Sequence, residues 1–263
     1  MKKNIFIKLA IEAALKAGRY IKGSLGNVKN IRYKGEINVV TEVDKKAESI
    51  IVGIIKRHFP YHGFIAEEAS YGKKECCAPS EREFNWIIDP LDGTTNFVHG
   101  FPVFCVSVAL EHKGRVIAGV VYDPTRDELF TATEKGGAFL NKKRIHVSKV
   151  THLRKALLST GFAYNVKRAR NNNISNFVRA IKSSQAVRRG GSAAIDLSYV
   201  ACGRYDGFWE LYLNPWDTAA GFLIVNEAGG KVTKFDGSKY TIYDKEILAS
   251  NSKVHSKMMK IIN

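Results

Sequence analysis

The sequence predicts layered α and β structure, with sheets covered by helices, and three observations carry that expectation. Helical periodicity opens the chain, a run of hairpin-type strands follows, and strand–helix alternation fills the second half. The 263 residues contain no long Pro-, Ser- or Gly-rich linker, so we expect one domain over 1–263, built as two lobes of about 1–150 and 151–263.

Ile5, Leu9, Ala13 and Ala17 recur on one face, with Ile11 and Leu15 nearby, and predict an N-terminal helix. A second helix starts at Thr41-Glu42-Val43-Asp44, carries Ala47, Ile50, Ile51, Ile54 and Ile55 at helical spacing, and stops at Phe59-Pro60. Strands are expected at 64–66 and 86–89, and at 103–110 and 116–122, the last two joined as a hairpin through His112-Lys113-Gly114-Arg115. Strands at 129–133 and 138–140 flank a Gly136-Gly137 turn. Beyond them come strand 156–160, helix 175–182, strand 186–188, helix 193–202, strand 205–211, helix 216–228, and strands 231–235 and 247–249. Gly203 and Gly229-Gly230 stand where helices end.

Hydrophobic residues make up 45% and charged residues 25% of the chain, the balance of a protein that buries a substantial core. Lys8 and Glu12 interrupt the N-terminal apolar stretch before a secretory leader could form, and no apolar run approaches the roughly 20 residues of a membrane span. Four cysteines without a CxxC pair, Cys76, Cys77, Cys105 and Cys202, read as reduced thiols of a cytoplasmic protein. The net charge of +16 favours acidic partners, whether phosphate esters or nucleic acid. Its clusters, such as Lys167, Arg168 and Arg170, lack the interleaved aromatics of single-strand binders, and nucleic acid is the less favoured partner.

The most informative stretch is WIIDPLDGTTNF at 86–97, an apolar strand that runs straight into two carboxylates. Pro90 keeps Asp89 extended and Gly93 permits a tight turn, so Asp89 and Asp92 can converge. Carboxylates held close repel one another unless a cation neutralises them, and oxygen-only ligands favour Mg²⁺ over zinc. Thr94 and Thr95 would open a short helix whose N–H groups face a phosphate. An Asx-turn with an N-cap explains the same residues equally well. Glu67-Glu68 after the strand at 64–66 taken alone is a solvated turn, and Asp217 in Pro215-Trp216-Asp217 taken alone compensates a helix dipole.

Together and in this order, these segments resemble the inositol monophosphatase family, part of the lithium-sensitive, Mg²⁺-dependent phosphatases that also include fructose-1,6-bisphosphatases. The resemblance spans about 34–250 and includes Lys34-Gly35, Asp44, Glu67-Glu68, Asp89 to Phe97, Gly191-Ser192-Ala193-Ala194, Glu210, and Pro215 to Gly221. It implies that family's sandwich of alternating helix and sheet layers. It also implies one Mg²⁺ held by Glu67, Asp89 and the Leu91 carbonyl, a second held by Asp89, Asp92 and Asp217, and a third, weaker one near Glu67. Glu68 and Asp44 would complete the acidic cluster. A water activated with help from Glu67 and Thr94 would attack phosphorus without a covalent phosphoenzyme. Phosphate would lie against Gly93 and Thr94, with Gly191 and Ser192 close by, and Asp92, Ala193, Glu210 and Asp217 would hold the alcohol. A homodimer is implied too. Ala66 and Ala69 depart from the family's usual Gly and Ser/Thr, which bears on the loop behind Glu67.

The expected reaction is hydrolysis of a polyol monophosphate, myo-inositol monophosphate first. Fructose 1,6-bisphosphate and 3′-phosphorylated nucleotides are the alternatives, and an RNA-associated scaffold is the alternative of another class. A haloacid-dehalogenase-type motif would have one residue between its aspartates, where this chain has Pro90 and Leu91. Gly229-Gly230-Lys231 lacks the Ser/Thr of a P-loop, and no G-x-S-x-G elbow is present.

Overall fold

A computed structural model describes residues 2–27, 31–33, 39–70, 82–164 and 166–262, with backbone alone for 2–4, 31–33 and 39–40. Lys34, Gly35, Cys76 and Cys77 lie outside the described residues. The elements run α1 (Lys2–Ser24), β1 (Ile31–Tyr33), β2 (Val39–Thr41), α2 (Glu42–His58), β3 (Gly63–Ala66), α3 (Glu67–Ser70), β4 (Phe84–Asp92), α4 (Thr94–Val98), β5 (Cys105–His112) and β6 (Arg115–Asp123). There follow β7 (Glu128–Thr133), β8 (Gly137–Leu140), β9 (Lys143–Arg144), β10 (Leu157–Thr160), α5 (Ile174–Ser183), β11 (Ala186–Arg188) and α6 (Ala193–Ala201). The chain ends with β12 (Gly207–Leu211), α7 (Pro215–Glu227), β13 (Lys231–Thr233), β14 (Glu246–Ser250) and α8 (His255–Ile262).

Among the described residues the strands form a ribbon of β1 and β2, a seven-stranded sheet in the order β3-β4-β5-β6-β7-β8-β9, and a five-stranded sheet in the order β11-β10-β12-β14-β13. Three apolar clusters stack these into five layers. Phe6, Ala13, Ile51 and Ile55 of α1 and α2 meet Trp86, Val106 and Val120 on one face of the large sheet. On its other face, Ala109 and Val121 meet Leu197, Ala220 and Ile224 of α6 and α7, which also cover Phe208 and Ile247 of the small sheet. Ala180 of α5 and Met258 of α8 close the outer face of the small sheet over Leu158, Trp209 and Leu248. Helices on both faces explain why β5 and β6 are apolar almost throughout instead of alternating with polar residues.

Local chemistry fixes the elements around the site. At α2, Thr41 Oγ1 accepts the Val43 N–H, and Asp44 Oδ2 accepts the Thr41 N–H at 2.8 Å, a reciprocal cap. The β5–β6 hairpin turns at Lys113 and Gly114, with φ of 50° and 76°, as a two-residue turn requires. The structure departs from the sequence reading at several points, among them β12, which starts at Gly207 instead of 205, and β13, which ends at Thr233 instead of 235. β4 continues past Asp89 through Pro90 to Asp92, and β5 begins at Cys105 instead of 103. The β1–β2 ribbon and β9 have strands of three and two residues, too short to leave a periodicity. The eight-residue α8 was not expected either, since its buried Met258 and Ile262 give only one helical repeat.

Candidate active site

The large sheet delivers two carboxylates to one place through an irregularity. In β4, Asp89 stands opposite Ser107 and Asp92 opposite Cys105, so three steps along β4 match two along β5. In a regular strand, residues three apart point to opposite faces; the extra residue of this bulge restores Asp89 and Asp92 to the same one. Pro90, which has no N–H for the ladder, sits inside the bulge, and the Leu91 N–H turns inward to Asp89 Oδ1 at 2.9 Å. Gly93 then takes φ of 101°, and a Cβ there would come within 2.8 Å of the Val103 carbonyl. Only glycine fits between this turn and α4.

The small sheet and its helices supply the opposite wall. Ser192 caps α6 by accepting the Ile195 N–H and donates its own hydroxyl to Asp92 Oδ2 at 2.8 Å. The Ala194 N–H donates to the same oxygen at 2.7 Å, so Asp92 of the first half is anchored on the helix start of the second. Asn96 makes a parallel connection: its Nδ2 donates to the carbonyls of Val103, at 2.7 Å, and Gly190, at 2.9 Å. Asp217, in the first turn of α7, accepts the Asn214 N–H at 2.6 Å. Glu210, near the end of β12, is only 8% exposed, not a solvated strand-end acid. Its carboxylate lies over Gly161, where a Cβ would sit 2.2 Å from Oε1.

These groups surround one cavity of about 590 Å³. Its lining brings together Glu67, Asp89, Leu91, Asp92, Gly93, Thr94, Gly191, Ser192, Ala193, Glu210 and Asp217, each expected from the sequence. Asp44 does not line it. Its carboxylate is buried behind the wall, where Oδ1 accepts the Thr94 hydroxyl at 2.9 Å and Oδ2 accepts the Thr41 hydroxyl at 2.6 Å. Thr94 Oγ1 also lies 3.0 Å from the Leu91 carbonyl, so one hydroxyl proton faces two acceptors. Glu67 and Glu68 open α3, and the first N–H groups after Glu67 are met by Glu48 of α2, which accepts from Glu68 N at 2.8 Å and Ala69 N at 3.0 Å. His99 is exposed and outside the cavity.

Burial pushes the Asp89 carboxyl well above the usual carboxylate range, and the charges of Glu67, Asp92 and Asp217 push it further, against one Leu91 N–H bond. Asp217 rises for the same reasons, through burial and then the charge of Asp92, with Glu67 and Glu210 adding to it. Loss of hydration raises Asp92 to about 6, with the Ala194 and Ser192 bonds holding it down. The cavity thus concentrates negative charge that its own donors do not neutralise, and every candidate ligand is a hard oxygen, the chemistry that Mg²⁺ selects. Among the described residues, no three His, Cys, Asp or Glu side chains are grouped closely enough to cage an ion as they stand. Carboxylates that repel one another are expected to stand apart until a cation draws them in.

Several lining residues were not singled out from the sequence: Gly161, Tyr164, Arg189 and Asp196. Asn96 and Glu48 also went unnoticed as supports. Asn96 and Asp196 lie within or beside segments that were recognised, while Gly161 and Tyr164 follow β10 with no local pattern to mark them. Proximity alone reveals them.

Five alternating layers and a cavity that gathers four carboxylates beside a hydrogen-bonded Thr–Asp pair suit the class of phosphatases whose chemistry runs through a hard cation. Comparison with known proteins gives the narrower assignment. The inositol monophosphatase family model matches residues 3–263. The inositol-1-monophosphatase of Synechocystis sp. is 46% identical over 258 residues, covering 98% of this chain and 88% of its own. Nus factor SuhB of Escherichia coli is 42% identical over 255 residues, covering 96% and 94%. The solved inositol monophosphatase from Anabaena (Nostoc) sp. aligns with a TM-score of 0.88 at 42% identity, covering 99% of this chain and 96% of that one. The chain belongs to the inositol monophosphatase family.

Proposed function

We propose that this phosphatase hydrolyses the phosphate monoester of a small polyol, myo-inositol monophosphate first, with Mg²⁺ as its metal. The observation that carries the reading is the meeting of Glu67, Asp89, Asp92 and Asp217 at one cavity, where the other three charges raise the Asp89 carboxyl, beside the hydrogen-bonded pair of Thr94 and Asp44. Glu67, Asp89 and the Leu91 carbonyl would hold one ion and Asp89, Asp92 and Asp217 a second, with a weaker third near Glu67. Bound there, Mg²⁺ supplies Lewis acidity, making water nucleophilic near neutral pH and offsetting charge on the phosphoryl and leaving oxygens.

The chain's own residues do the rest. Thr94 Oγ1 accepts a proton from the attacking water while passing its own to Asp44 Oδ1, which burial has already made a better base than an ordinary aspartate. Glu67 is the second acceptor for that proton. The backbone at Gly93 and Thr94, with Gly191 and Ser192 opposite, receives the phosphoryl oxygens. Asp92, the Ala193 backbone, Glu210 and Asp217 orient the alcohol. Family membership supports a homodimer and lithium sensitivity. The free thiols of Cys105 and Cys202 accord with a cytoplasmic protein, and among the described residues no helix is long and apolar enough to cross a membrane.

A panel of inositol monophosphates, fructose 1,6-bisphosphate and 3′-phosphorylated nucleotides, assayed with Mg²⁺ at fixed ionic strength, tests the substrate. The highest kcat/KM is expected on an inositol monophosphate, and a clear preference for a bisphosphate overturns that choice. The likeness to a Nus factor and the net charge of +16 favour a second reading, an RNA-associated role. It requires tight binding of one RNA with a steep salt dependence.

A further inference from the structure

The cavity holds an acid that the reaction described above leaves unused. Asp196, in the first turn of α6, lines the cavity and is only 2% exposed. Its Oδ1 is sealed from solvent with no hydrogen-bond partner, packed against Gly190, where a Cβ would meet it at 3.0 Å. No group among the described residues bonds the other oxygen either. Buried carboxyls without partners are rare and costly, and one that lines a cavity points to a partner arriving from the cavity.

Its surroundings state what that partner is. The charge of Asp196 acts on Glu210, and the Arg189 guanidinium, exposed in the loop before α6 and lining the same cavity, acts on both. The charges that act most on Asp89 are instead those of Glu67, Asp92 and Asp217. Asp196 and Glu210 both line the cavity, and Glu210 is one of the residues proposed to hold the alcohol. Burial and the Asp92 charge raise the Asp196 carboxyl well above the ordinary range, with Arg189 opposing. Two adjacent acids and one guanidinium leave no net attraction for a second phosphate, whereas neutral hydroxyls can accept from a carboxyl that keeps its proton and donate to one that does not.

We propose that Asp196 is a substrate-binding residue that forms, with Glu210, a paired-acid seat for neighbouring hydroxyls of a neutral polyol, with Arg189 as counter-charge. The seat rests on the polyol-phosphate reading and adds that this side of the pocket discriminates against bisphosphorylated sugars. Asp196→Ala lowers kcat/KM for inositol monophosphate at least about tenfold and changes that for a small aryl phosphate by less than about twofold. Asp196→Asn, of the same size and with both a donor and an acceptor, recovers most of the loss.

The test assays wild type and both variants on the two substrates and on a set of deoxy-inositol monophosphates, each lacking one ring hydroxyl. One deoxy compound is expected to cost wild type about tenfold and to cost Asp196→Ala nothing further. Equal losses on inositol and aryl phosphates would mean that Asp196 supports the fold or the metals, and no loss on either would remove it from the pocket. Should the alanine variant fail to fold, a wild type that loses less than about twofold on every deoxy compound overturns the seat. Wild type that cleaves the aryl phosphate but no inositol monophosphate refutes the polyol reading itself, and the seat falls with it.

Discussion

Replacing Asp92 by Asn should stabilise the metal-free protein at neutral pH while removing its activity. Asp92 has an ordinary value of 3.8 and is raised to about 6 in the fold. A raised acid means that the folded protein holds the proton more tightly than the unfolded chain. Stability from this group is therefore present below about 4 and is lost as pH climbs to about 6, a loss of about 3 kcal/mol that persists at pH 7. Asparagine resembles the protonated acid, being uncharged with a carbonyl that still accepts from Ser192 Oγ and Ala194 N. In EDTA, Asp92→Asn should thus match wild type near pH 4 and exceed it by about 3 kcal/mol at pH 7, an increase in urea midpoint of roughly 1 M.

The comparison must be made between variant and wild type at each pH, because His255 slopes the other way. Burial and the Lys231 charge lower its imidazole from 6.5 to about 4, so its contribution is lost as pH falls through that range. The difference between the two proteins cancels this effect. Saturating Mg²⁺ should reverse the order, since the wild-type charge then has a ligand. A difference that stays flat from pH 4 to 7 in EDTA, or turnover above about a tenth of wild type in the variant, would refute the placing of Asp92 as an uncompensated metal-binding carboxylate.

Asp89→Asn should lose more than about 90% of turnover at saturating Mg²⁺ in a standard phosphate-release assay, because on the proposed reading Asp89 would be a ligand of both ions. Gly161→Ala should reproduce Glu210→Gln, each costing about 1–3 kcal/mol in kcat/KM on inositol monophosphate and sparing an aryl phosphate, because the new methyl group occupies the place of the Glu210 carboxylate; losses on both substrates would instead make Glu210 a support of the metal site. Thr94→Val should cut kcat by about 10²-fold while Thr94→Ser keeps most of it, measured by initial rates, because only the hydroxyl couples to Asp44. Ca²⁺ should bind without supporting turnover, and full activity in excess EDTA would end the metal mechanism.

Much of the frame was legible because it is written in local chemistry. The α2 cap needs only Thr41 and Asp44, the β5–β6 turn only Lys113 and Gly114, and the strand–turn–acid order of 86–97 already marked a site. The resemblance to a family supplied what spacing alone could not, since Glu67 and Asp217 each had an ordinary explanation. The bulge that turns Asp92 toward Asp89 is a property of the β4–β5 register and does not exist until β5 has paired. Asp196, Arg189 and Gly161 come together only when β10, β11 and α6 are assembled. The distinction between Asp44, buried behind Thr94, and Asp89, on the cavity lining, likewise exists only in the assembled structure.

The anchoring of Asp92 ties chemistry to mechanics. Its two donors, Ser192 and Ala194, lie 100 and 102 residues further along the chain, at the start of a helix that packs between the two sheets. Pulling α6 away by even a few tenths of an ångström would weaken both bonds and raise the proton affinity of that carboxylate. The geometry of one cavity carboxylate is thus set by a junction between distant parts of the chain, and it is kept only while that junction is closed.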